Sequence, residues 1–143
     1  MKYAIRYYSK FGHSKQMADA LGNVIGTSAA PVTEPVTEPV DVLFLGAGVF
    51  LGSVNKSVFR FIDSLTPEKV RCVVLFGSCA IIDSPVPQMR KALEERGIKV
   101  ADRSFTCKGS MGPIHSGHPD KEDIDALCRF AKTFVTEQET ANV

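Results

Sequence analysis

Tyr3-Ala4-Ile5-Arg6-Tyr7-Tyr8-Ser9-Lys10-Phe11-Gly12-His13-Ser14 is the stretch on which the reading of this chain turns. Its first half is apolar and β-prone. Its second half is a loop with two hydroxyls and one glycine. Met17, Leu21, Val24 and Ile25 follow at helical spacing. A strand therefore passes into a helix through a small, polar turn. The first N–H groups of such a helix lack intrahelical partners and carry partial positive charge. A phosphate can be held there by backbone donors, with Gly12 allowing close approach and Ser9 and Ser14 adding hydroxyls. The competing reading makes Ser14 a simple helix cap.

The rest of the chain repeats that unit. Gly26 ends the first helix, and Thr27 to Ala30 can add a short edge strand. Pro31 to Pro39 holds two Pro-Val-Thr-Glu units, whose prolines forbid helix, so an extended surface connection is expected. Val42-Leu43-Phe44-Leu45 is a continuous apolar run, as in a strand buried on both faces of a parallel sheet, and Val70 to Phe76 reads as another buried strand. Each ends in glycine and small residues, Gly46 to Ser53 and Gly77 to Ile82, read as loops. Helices follow: one with Val58, Phe59, Ile62 and Leu65 on its apolar side, another starting at Ser84-Pro85 and closing at Gly97. Ile98 to Phe105 reads as the last strand and Cys107 to Pro113 as a glycine-rich loop. A final helix opens near Pro119-Asp120 and frays after Glu137.

About five strands alternating with four helices predict an open parallel α/β sheet in one domain over residues 1–143. Ligands of such sheets bind at the carboxyl ends of the strands, where the loops at 9–14, 46–53, 77–82 and 107–113 gather. A net charge of +1 argues against nucleic acid and anionic membranes as partners, and no apolar run spans a bilayer. A cytoplasmic location is expected from the absence of a secretory pattern. The four cysteines show no metal-finger spacing, and His13, His115 and His118 sit in polar loops, so no metal is expected. Arg6, in an inner strand, is expected to snorkel at the sheet end. Gly46-x-Gly48-x-x-x-Gly52 imitates a dinucleotide fingerprint, but it has an extra residue and lies outside the first strand-helix unit. A low-molecular-weight phosphatase would need Cys in the first loop, and a receiver domain would need acids there.

With these motifs the chain resembles the flavodoxin family, specifically its short-chain members. Ser9, Lys10-Phe11, Gly12, His13 and Ser14 are similar to the family's phosphate loop. Gly48-Val49-Phe50-Leu51-Gly52 matches in place the loop that covers one flavin face, and Gly77-Ser78-Cys79 the other flavin-contacting loop. The resemblance implies a three-layer α/β sandwich, a five-stranded parallel sheet in the order 2-1-3-4-5 with helices on both faces. It also implies non-covalent FMN, bound by these fourteen residues. The implied function is electron transfer, as a carrier or a small FMN-dependent oxidoreductase working with a redox partner protein or a small electron donor or acceptor. The alternative is a flavin-free docking module of the same fold. Phe11 stands where the family has a third hydroxyl, so one phosphate contact falls to backbone N–H. Lys10, His13, Lys108 and His115, against Asp83, predict a second flavin reduction potential less depressed than in acidic flavodoxins.

Overall fold

The computed structural model describes residues 1–50, 53–79, 84–109 and 117–141, with the side chain of Phe50 excepted. The elements run β1 (Tyr3–Tyr7), α1 (His13–Ile25), β2 (Ala29–Pro31), β3 (Val40–Phe50), β4 (Ser53–Val54), α2 (Lys56–Asp63), β5 (Val70–Cys79), α3 (Val86–Glu95), β6 (Phe105–Lys108) and α4 (Lys121–Ala141). The parallel strands stand in the order β2-β1-β3-β5-β6, the arrangement expected, and β4 pairs antiparallel with the end of β3.

Strand alternation divides the core in two. Leu43, Leu45, Val73 and Leu75 join Val58 and Ile62 of α2 and Met89 and Leu93 of α3 on one side of the sheet. Val42, Phe44, Val74 and Phe76 join Met17 and Leu21 of α1 and Leu127, Ala131 and Phe134 of α4 on the other. Both faces of β3 and β5 are covered, which is why both read as buried strands.

The edges depart from expectation in instructive ways. β3 and β5 run on through segments read as loops, because Ala47, Gly48 and Val49 continue the ladder against Gly77, Ser78 and Cys79. Gly46 belongs to that ladder too, and a Cβ there would overlap the Phe76 ring. The segment read as one last strand is broken. Val100 makes a single bridge to Val73, and pairing resumes only at Phe105. Between them Asp102 and Arg103 are exposed, and Arg103 pairs with Glu137 of α4. α4 does not fray after Glu137; it continues to Ala141.

The proline-rich repeat does more than connect. Val32 and Val36, four residues apart in the two units, are 7% and 4% exposed and enter the core beside α2 and α3. Arg6 does not simply reach for solvent. Its Nε donates to the Glu34 carbonyl at 2.9 Å and its Nη2 to the Pro35 carbonyl at 3.1 Å. The guanidinium thus satisfies backbone acceptors that an extended, proline-interrupted segment cannot pair for itself.

Candidate functional site

α1 begins one turn earlier than its apolar pattern, at His13, with Gly12 as N-cap at φ +88°. Glycine holds that left-handed conformation without the Cβ penalty. Ser14 is therefore inside the helix and does not cap it. It is 2% exposed. No side chain caps α1, and its first turn carries no acidic residue. The positive end of the helix is left open toward the loop. Ser9, at the start of that loop, has a buried Oγ with no hydrogen-bond partner. A hydroxyl in that state costs free energy unless something arrives to pair with it.

A cavity of about 490 Å³ opens here, at the carboxyl ends of β1, β3 and β5. One wall is Ser9, His13 and Ser14 with Gly48, Ser78 and Gly109. Gly109 and Gly48 keep that wall clear. A Cβ on Gly109 would fall 2.9 Å from Ser78 Oγ, and one on Gly48 would fall 3.4 Å from it. The other wall is Tyr8, Val49 and the segment from Ser53 into α2, including Asn55, Lys56, Ser57 and Arg60. Asn55 locks that wall in place. Its Oδ1 caps α2 by accepting from Ser57 N at 2.9 Å, and its Nδ2 donates to Tyr8 OH at 3.0 Å. Lys10 and Phe11 stand at the opening, with Lys10 Nζ 5.6 Å from the Phe11 ring centroid.

Of the residues singled out from sequence, Ser9, Lys10, Phe11, His13, Ser14, Gly48, Val49 and Ser78 line this cavity. Gly12 shapes the turn beneath it. Gly77 and Cys79 do not line it. In an extended strand they point to the opposite side from Ser78, and a Cβ on Gly77 would meet Pro85 at the start of α3. Leu51, Gly52 and the Phe50 side chain lie outside the described residues, as do His115 and Asp83. Tyr8, Asn55, Lys56, Ser57 and Arg60 were not legible as site residues, whereas Gly109 lies in the 107–113 loop expected at this edge. Only the hairpin through β4 brings the start of α2 across from α1.

Beside the cavity, Cys107 of β6 faces α1, its Sγ 3.9 Å from Met17 Sδ. Burial, reinforced by Asp123, Cys79 and Asp120, pushes its thiol up to about 12, so it is a neutral core group. Burial works to raise Asp123 as well, but hydrogen bonds from His118 and the Asp120 N–H outweigh it and hold the carboxyl low. Asp120 and Asp123 each accept from the other's N–H, at 2.9 and 3.0 Å, a reciprocal cap on α4. His118, Asp120 and Asp123 are thus occupied as a helix cap.

The topology, the site at the switch between β1 and β3, and the open α1 terminus together decide the fold. This chain has the flavodoxin fold. Over 92% of its length it superposes on a flavodoxin from the domain Archaea, with a TM-score of 0.69, 18% identity and 94% of that chain covered. Flavodoxin 2 from Bacillus cereus gives a TM-score of 0.71 at 18% identity, covering 96% of this chain and 99% of the other. Rubredoxin oxygen:oxidoreductase from Desulfovibrio gigas gives 0.74 at 14% identity, where 97% of this chain matches 36% of the larger one. In sequence, an uncharacterized protein of Methanocaldococcus jannaschii is 24% identical over 105 residues, 66% of this chain and 69% of that one. No family model matches the sequence. Among the described residues, no helix is long and apolar enough to cross a membrane.

Proposed function

We propose that this chain binds FMN non-covalently in the cavity and serves in electron transfer. One observation carries the reading: Ser9 Oγ is buried without a partner beside a helix N-terminus that no side chain caps. A phosphate monoester supplies what both lack, acceptor oxygens and negative charge. The residues that would hold the phosphate are Ser9, Ser14 and the backbone N–H groups of the 9–14 loop, with Lys10 adding a favourable field. Gly48, Ser78 and Gly109 leave room for the remainder of the cofactor along the strand ends. Tyr8 and Asn55, tied together, keep the opposite wall rigid. Bound FMN supplies the electron chemistry, and the protein supplies orientation and electrostatics. FMN rather than FAD is the reading because, among the described residues, the hydroxyl and helix-terminal phosphate donors gather in the single 9–14 loop.

The test is titration of the purified chain with FMN, riboflavin and FAD, followed by visible absorption and flavin fluorescence. The expected outcome is one FMN per chain, with riboflavin much weaker because it lacks the phosphate. Equal binding of FMN and riboflavin would remove the phosphate site. A chain that takes up no flavin at all would favour the flavin-free docking module.

A further inference from the structure

The rim of the cavity carries two cations on the short helix α2, and the helix dipole opposes the first of them. Lys56 is the first residue of α2, at the positive end of the helix dipole, and that first turn has no acidic residue. Arg60 lies four residues on, so two like charges share one helix face, an arrangement that destabilises the helix. Both side chains are exposed and both line the cavity. Five cations elsewhere are ion-paired: Lys15 with Asp19, Arg71 with Asp41, Arg90 with Glu94, Lys2 with Glu38 and Arg103 with Glu137. Among the described residues, neither Lys56 nor Arg60 is in an ion pair. No Asp or Glu is found among the described residues lining the cavity. Arg60, in the last turn, suits the dipole, but Lys56 at the first position and its like-charge spacing to Arg60 depart from local stability, as functional sites do.

The same rim holds Phe11, which is 52% exposed. An exposed aromatic ring among Lys10, Lys56 and Arg60 has the composition of a docking face. Aromatic and Arg side chains concentrate binding energy at interface centres, and surrounding charge steers the encounter. We propose that this rim docks an electron-transfer protein whose own redox centre is surrounded by carboxylates. The occupant is acidic because the described residues of the rim offer positive charge and no carboxylate. The purpose of such docking rests on the cavity being a flavin site, but the docking can be read without flavin.

The experiment titrates the isotopically labelled full chain, with no flavin added, with an acidic ferredoxin and separately with a basic c-type cytochrome. Amide resonances report the face used. At about 0.01 M salt the screening length is about 30 Å, and at about 1 M it is about 3 Å. The ferredoxin should shift Lys10, Phe11, Lys56 and Arg60 at low salt and release at high salt, while the cytochrome leaves them unmoved. The double variant K56E/R60E should weaken ferredoxin binding by about tenfold or more, the lower end of what steering supplies. K91E/K99E makes the same charge change away from the cavity and should have little effect. Unfolding does not confound the result. Glu at position 56 gains from the dipole what Glu at position 60, in the last turn, loses, so K56E/R60E should melt close to the parent chain, which calorimetry checks. Preference for the cytochrome, shifts confined to another face, insensitivity to K56E/R60E, or self-association of the chain through Phe11 would each overturn the proposal. FMN uptake, measured separately by absorption, keeps the two readings apart. A chain that docks ferredoxin at Phe11 but takes no FMN fails the flavin reading alone.

Discussion

Replacing Ser9 with alanine should move two quantities in opposite directions. The Oγ is buried and unpaired, a state that costs about 1–3 kcal/mol. Removing the oxygen relieves that cost and leaves a void smaller than a methyl group, so flavin-free Ser9→Ala should gain about 1 kcal/mol. For a domain near this size, that raises the melting temperature by about 2–4 °C. Toward FMN the sign reverses. A hydrogen bond to a charged phosphate contributes about 1.5–3 kcal/mol, so affinity should fall by about tenfold to a hundredfold. Riboflavin, which has no phosphate, should bind the two proteins alike. Calorimetry of the flavin-free proteins and titration with both flavins make the full comparison. If Ser9→Ala melts lower than the parent chain and binds FMN as well, the hydroxyl is structural and the reasoning is refuted.

Gly12→Asp should lose FMN while keeping the fold by circular dichroism. The added Cβ meets no atom within 4 Å, so the change acts through strain at φ +88° and through a carboxylate at the phosphate loop. Stoichiometric FMN in that variant would sink the assignment. Gly46→Ala should lower the denaturant midpoint by about 1–3 kcal/mol equivalent, because its Cβ overlaps the Phe76 ring, which cannot retreat from the core. Cys107 should resist alkylation in the native chain at neutral pH and react once urea is added, as mass spectrometry would report. Its thiol is raised from 9.0 to about 12, so the unfolded chain ionises first. The contribution is complete below pH 9.0, and stability should decline between there and about pH 12. With Lys10, Lys56 and Arg60 at the cavity, the second reduction potential of bound flavin should fall as salt is raised. A rise in spectroelectrochemical titration would mean that the flavin sits in a negative field.

The alternation of strands and helices was legible from sequence because each carries its own period. Burial on both faces made β3 read as an apolar run and β5 as another buried strand, and 3.6-residue spacing marked the apolar stripes of α1 and α4. The loop at Ser9 to Ser14 was legible for a local reason too: strand, glycine and hydroxyls, and helix are contiguous there. Strand ends were not, because glycine and serine signal a loop only when nothing pairs with them. At Gly48 and Ser78 a neighbouring ladder supplies the hydrogen bonds, and pairing between segments thirty residues apart leaves no trace in either one. The break before β6 escaped because Ile98 and Val100 alternate as in a strand and Phe105 is β-prone, although the polar residues Asp102 to Ser104 lie between them. Arg6 looked misplaced until its acceptors, the carbonyls of Glu34 and Pro35, came into view. The far wall of the cavity was hidden most completely. Nothing in the sequence singles out Lys56 or Arg60. Only the turn through β4 and the packing of α2 on the sheet set them across from α1, where charge that weakens a helix faces a cavity.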